Sequence, residues 1–314
     1  MEVNDVIFNE LIKRGFSVKG DKKVWDVADS KLWYITPRQA QAYLDFQNVT
    51  EYASHLGSKE TALIRESLPS IMNFLGDGPI NIVDLGCGDG KKAVVIIGEM
   101  KSKMPLRYYP IDISGYMVEK AIDKISKLKI DEIIESQWNI SDFENLENIT
   151  PLLIKGKYKK NLFMLLGNTL GNFEVHEILF KLRTVMGNDD FLIIGNGLNN
   201  DKVSEGVLKF CKQTPQWKSF YDHIPLQLGF SLDEITFDVR FVHSRLESYY
   251  TVTRDKTINH LNKLITFRKG DEIIAGVCYH FKKNDFKTLM NLYFNTAEVY
   301  TTKDDSYALA VCKK

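Results

Sequence analysis

Three glycines, Gly86, Gly88 and Gly90, stand at alternate positions directly after a short apolar run at residues 81–85 and directly before the helical pattern Lys91–Met100. Glycine at such a place permits a tight turn and close approach of the backbone to a ligand, and the helix that follows presents free N–H groups. Asp84 lies two residues before the first glycine, and Asp112 ends the next apolar run, about 20 residues beyond the loop. An acid at that strand end is placed to accept both hydroxyls of a ribose. The spacing is not a dinucleotide fingerprint, which needs a glycine where Lys91 stands, and no Walker A loop can be read from Gly86.

An acid before a GxGxG loop is the pattern of S-adenosylmethionine (SAM) binding. SAM carries a sulfonium cation and an amino-acid tail but no pyrophosphate, so a nearby carboxylate is tolerated. A structural turn, or a site for another nucleotide, is the competing reading of the glycines alone.

The elements that must position these residues alternate. Strands are expected at 81–85, 107–112, 133–138, 162–166 and 191–194, with helices after the first two. Continuously apolar strands alternating with helices predict an α/β fold with a mostly parallel sheet covered on both faces. At the C-terminus a helix over 286–293 precedes a predicted hairpin, 297–302 with 307–312. A parallel sheet closed by an antiparallel hairpin resembles the class I, Rossmann-like methyltransferase fold, an analogy that says nothing of substrate. Residues 200–275 break the rhythm: 236–253 alternate in strand fashion, and 259–269 and 272–281 are expected to continue an antiparallel sheet, whereas residues 1–75 read as mainly helical. The expected organisation is a SAM-binding core of 76–199 and 282–314, with a discontinuous α+β substrate or lid domain of 1–75 and 200–281.

The segment Leu166-Gly-Asn-Thr-Leu-Gly-Asn-Phe173 resembles the G-S-T-I-G-N motif of the histidine-specific methyltransferase family, which includes the histidine Nα-methyltransferase of ergothioneine biosynthesis. The loop Val83-Asp-Leu-Gly-Cys-Gly-Asp-Gly-Lys-Lys92, the strand Tyr109-Pro-Ile-Asp-Ile-Ser114, Ser141-Asp-Phe143 and Gly229-Phe-Ser-Leu-Asp233 are similar to further segments of that family. The resemblance implies SAM contacts at Gly86, Lys92, Asp112, Asp142 and Phe143. Asp142 would accept from the adenine amino group and the Phe143 N–H would donate to the ring. Gly167, in the motif turn, joins the expected cofactor set. Asn172 would hold the amino-acid end of the acceptor, and Tyr52 resembles a substrate-contacting tyrosine. Turn stabilisation by Asn172, and packing of Tyr52 in an aromatic stretch, are the plainer readings.

Two departures bear on substrate. Where the family has a tyrosine for the substrate carboxylate, Phe210 stands here without the hydroxyl. In the histidine enzyme a Glu and a Ser bond the imidazole; their positions are Gly276 and Cys278. A site that selects a polar ring does so through such groups, and their loss leaves the ring unpaired. Free histidine is therefore not the expected acceptor, and a larger or less polar group is expected in the space beside Gly276.

The expected function is N-methylation of a small amino-acid-like amine. A protein or peptide methyltransferase, or a SAM-binding regulator without turnover, are the alternatives, and no catalytic residue is named. Lysine plus arginine and aspartate plus glutamate each total 41, a balance that argues against a nucleic-acid partner. The six histidines form no metal-binding spacing, and the four cysteines form no CxxC pair. No secretory leader or membrane-length apolar run is seen, so a cytoplasmic enzyme is expected, with its oligomeric state left open.

Overall fold

The computed structural model describes residues 3–49, 58–135, 139–140, 146–153, 156–260 and 262–314. In chain order its strands are β1 (Phe16–Lys19), β2 (Lys22–Asp26), β3 (Ile80–Leu85), β4 (Leu106–Ile111), β5 (Glu132–Ile133), β6 (Lys160–Leu165) and β7 (Phe191–Gly197). They continue as β8 (Ile235–Val242), β9 (Arg245–Val252), β10 (Lys256–His260), β11 (Lys263–Phe267), β12 (Glu272–Tyr279), β13 (Thr296–Thr301) and β14 (Tyr307–Lys313). The chain forms two compact units, residues 1–46 with 201–279 and residues 47–200 with 280–314. No described helix is long and apolar enough to cross a membrane.

The second unit is built on a seven-stranded sheet in the order β13-β14-β7-β6-β3-β4-β5. β3 pairs in parallel with β4 and β6, and β6 with β7. β14 runs antiparallel to both β7 and β13. The chain moves outward from β3 through β4 to β5, then crosses to β6 on the other side. The carboxyl ends of β3 and β6 therefore flank the point where strand order reverses, which is where open α/β sheets bind ligands.

All six residues of β3 and of β4 are buried, as expected of strands covered on both faces. Arg107 is tolerated inside because its Nε donates to Asn81 Oδ1 at 2.7 Å and its Nη2 to the Leu153 carbonyl at 2.6 Å. The helices Lys91–Met100 and Ser58–Leu75 pack on the same core, with Ile64, Leu68, Ile71 and Leu75 recurring at helical spacing on the inward face. Each such fully buried aliphatic side chain contributes about 1.5–3 kcal/mol. Those contacts correct the expected boundary: residues 58–75 belong with the nucleotide-type core, not with the other unit.

The first unit holds a five-stranded sheet in the order β1-β2-β12-β9-β8 and a separate pair, β10 with β11. β2 and β12 are parallel, and the remaining neighbours antiparallel. The expectation of a mainly helical N-terminus thus fails at residues 16–26, a hairpin turning at Gly20 and Asp21. β10 and β11 also stand apart, where continuation of one sheet was expected. The register of β12 on β9 slips between Ile274 and Gly276. That bulge leaves the Ala275 carbonyl outside the ladder, and Trp33 Nε1 donates to it at 2.8 Å. The helices Asp201–Gln213 and Pro215–Gln227 belong to this unit, and Phe220, Tyr221 and Ile224 of the second join Trp33 and Tyr250 in its core.

Candidate functional site

The loop after β3 is held by backbone geometry that only glycine adopts without strain. Gly86, Gly88 and Gly90 have φ of 69°, 51° and 75°. Gly90 caps the helix Lys91–Met100, and a Cβ there would lie 3.0 Å from Ala121 Cα. The N–H groups of Gly86 and Cys87 both donate to the Ile111 carbonyl, at 2.8 and 3.1 Å, tying the loop to the end of β4.

Asp112 completes that tie. Its Oδ2 accepts the Gly88 N–H at 3.0 Å and its Oδ1 the Ser114 N–H at 3.0 Å. Burial pushes this carboxyl up to about 6, against the lowering effect of the Ser114, Gly88 and Ile113 N–H groups. Asp84, buried on β3, accepts the Tyr108 hydroxyl at 2.8 Å. Burial raises it to about 7; the Tyr108 hydrogen bond and the Lys92 charge pull down, and the Asp112 charge pushes up. The Cys87 thiol is raised well above its ordinary value, first by burial and then by Asp112 and Asp84, so it stays protonated.

Lys92 reaches from the first turn of the helix toward the loop after β6. Its Nζ lies 3.4 Å from Glu60 Oε2. A Cβ on Gly167, whose φ is 76°, would fall 2.3 Å from that Nζ, so glycine at this turn makes room for the ammonium. Glu60 is a site residue that the motifs do not mark. Its signal in the sequence is its phase: it shares the inward face of its helix with Ile64, Ser67 and Ile71.

In the segment 166–173 the two asparagines differ. Asn168 has φ 63°, and its Oδ1 accepts the Gly197 N–H at 2.5 Å, a turn-building role. Asn172 ends the short 3-10 turn Thr169–Asn172, is half-buried, and has no hydrogen-bond partner for its side chain among the described residues. Asp84, Gly86, Gly88, Gly90, Lys92, Asp112 and Gly167 thus gather at the carboxyl ends of β3, β4 and β6. Asp142, Phe143 and Tyr52 lie outside the described residues.

Phe210, Gly276 and Cys278 belong to the other unit. Phe210 is half-buried in a cluster with Cys211 and Cys278, its ring 6.0 Å from that of Phe46. Burial pushes the Cys278 thiol up to about 12. The expectation of spare room at Gly276 is overturned. A Cβ there would lie 2.2 Å from Tyr221 Cε1 and 2.4 Å from its Cζ. The buried Tyr221 ring packs against the bulge and occupies the space that a side chain at 276 would need. Among the described residues no group of three His, Cys, Asp or Glu is placed to hold a metal ion.

A mostly parallel sheet with an antiparallel C-terminal pair, carrying a glycine loop and an acid at its switch point, defines a class I SAM-dependent methyltransferase. Residues 40–314 match the family model for histidine-specific, SAM-dependent methyltransferases, and the chain belongs to that family. SAM is its cofactor. Solved structures similar to the chain include a SAM-dependent methyltransferase from Clostridium acetobutylicum, with 13% identity, 87% of this chain and 98% of that one covered, and a TM-score of 0.43. Another is the plantazolicin methyltransferase BpumL in complex with a triazolic desmethyl analogue and SAH, with 15% identity, 99% of each chain covered and a TM-score of 0.41. No curated protein matches the chain.

Proposed function

We propose that the protein N-methylates a small amino-acid-like amine other than free histidine. The observation that carries the exclusion of histidine is the Tyr221 ring against Gly276: the two positions that would bond an imidazole hold no polar side chain but the buried Cys278 thiol, and the space at one of them is filled. A site that leaves a polar ring unpaired rejects it strongly.

The residues at the sheet's switch point fit the cofactor. SAM supplies a methyl group activated by its sulfonium. Asp112 accepts the ribose hydroxyls, and Gly88 and Gly90 let the backbone come close. Lys92, the cation within this cluster, pairs with the carboxylate of the amino-acid tail, and Asp84 faces the tail's ammonium. Asp142 and Phe143 take the adenine. Asn172, with its amide uncommitted among the described residues, holds the amino-acid end of the acceptor.

The chain's remaining task is placement. A nucleophile held about 3–3.5 Å from the reacting carbon gains most of the available acceleration. An amine must be neutral to react, and a desolvated pocket favours that form without a dedicated base. Four buried free cysteines suit a reducing, cytoplasmic setting.

Purified protein with methyl-labelled SAM, offered amino acids, biogenic amines and short peptides, tests this reading. Label on a small amine supports it. Label only on peptides would move the assignment to a peptide methyltransferase, and SAM binding without transfer to any acceptor would contradict turnover.

A further inference from the structure

Glu60 is not among the expected cofactor contacts, yet it forms a buried junction with two of them, Lys92 and Gly167. It is 4% exposed. Its Oε1 accepts the Gly167 N–H at 2.8 Å and the Tyr307 hydroxyl at 2.6 Å, while Oε2 faces Lys92 Nζ at 3.4 Å. Four segments meet on this one carboxylate: the helix Ser58–Leu75, the turn after β6, the start of β14, and the helix after the glycine loop.

Two glycines clear its surroundings. A Cβ at Gly195 on β7 would lie 2.5 Å from the Tyr307 hydroxyl and 3.2 Å from Glu60 Oε1. A Cβ at Gly167 would displace the Lys92 ammonium. A buried carboxylate is costly unless paired and hydrogen-bonded, and this one has two hydroxyl or amide donors and a cation. Such an arrangement fixes the ammonium in place.

We propose that Glu60 is a positioning residue for the amino-acid end of SAM, acting through Lys92. This rests on the reading that Lys92 pairs with the cofactor's carboxylate. An unrestrained lysine side chain carries about 2 kcal/mol of rotamer entropy, which a ligand must overcome when it orders the chain. Glu60 orders Lys92 beforehand, so less is lost on binding.

The test compares binding of S-adenosylhomocysteine with that of 5′-methylthioadenosine, which lacks the amino-acid tail, by titration calorimetry. Glu60→Gln keeps the shape of the side chain and removes its charge. It is expected to weaken S-adenosylhomocysteine about tenfold, the scale of one charge-assisted hydrogen bond, and to leave methylthioadenosine unchanged. Lys92→Met should do the same, and the double variant should be no weaker than Lys92→Met alone. Tyr307→Phe removes one donor from Glu60 and should give a smaller loss with the same selectivity for the tail; it carries the test if Glu60→Gln does not fold. Equal loss for both ligands would mean that Glu60 only supports the fold, and additive losses would separate it from Lys92; either overturns the proposal. If Lys92→Met has no effect while the wild-type protein binds both ligands, the reading of Lys92 falls first and the role of Glu60 falls with it.

Discussion

Asp112 and Gly88 are joined by a 3.0 Å hydrogen bond from the glycine N–H to the carboxylate Oδ2. The loop after β3 and the end of β4 are therefore set relative to each other before any ligand arrives. Asp112→Ala removes both this tie and the acceptor for the ribose. We expect a loss of about 1–3 kcal/mol in SAM affinity, read by calorimetry. Asp112→Asn, which can still accept the Ser114 N–H, should retain the melting temperature better while losing a similar part of the affinity. Unchanged affinity in both variants would remove Asp112 from the cofactor site.

The acids of the site make binding depend on pH. Burial holds Asp112 at about 6 and Asp84 at about 7, above the value near 4 of the unfolded chain. Between these limits the folded protein carries more protons than the unfolded one, so these two groups cost stability as pH rises through that window. Donation by ribose hydroxyls and a nearby cation favour the ionised carboxylates and lower both values. SAM should therefore bind more weakly at about pH 5.5 than at about pH 8, and binding near pH 6 should release protons. Calorimetry in buffers of different ionisation heat reads that release, and Asp112→Asn should diminish it. Proton uptake would contradict the assignment.

Gly90 is constrained twice, by its φ of 75° and by Ala121 Cα, 3.0 Å from where a Cβ would stand. Gly90→Ala should cost about 1–3 kcal/mol of stability. Gly88 has a φ of 51° but open space beside it, so Gly88→Ala should cost less. Chemical denaturation of the two variants distinguishes backbone strain alone from strain plus overlap.

Gly276 and Tyr221 should behave as one unit. Gly276→Glu drives a side chain into a buried ring, and overpacking of that kind costs about 1–3 kcal/mol or more. Tyr221→Ala alone leaves a cavity and also destabilises. Combined, the two should cost less than their sum, because each relieves the other. Melting curves of the single and double variants check this; strict additivity would mean that the ring does not occupy the site at 276.

Much of the core is legible in the sequence because its cues are local. The largely apolar runs of β3 and β4, the glycines with left-handed φ and the terminal acid all lie within a short stretch, and residue type implies geometry there. Other features depend on distant partners. The phase of Glu60 on its helix marks it only as inward-facing, and its role emerges when Gly167, Gly195 and Tyr307 are brought around it. Gly276 reads as vacated space because its filler, Tyr221, sits on a separate helix. The β1–β2 hairpin is hard to read because all four residues of β1 are exposed, so no alternation of buried and exposed side chains marks it. Its turn, Gly20-Asp21 between Lys19 and Lys22, is the signal available.

The most direct measurement is mass spectrometry of acceptors after incubation with SAM, with free histidine and a pool of other small amines present together. Methyl groups are expected on a non-histidine amine and none on histidine. Methylated histidine as the main product would contradict it.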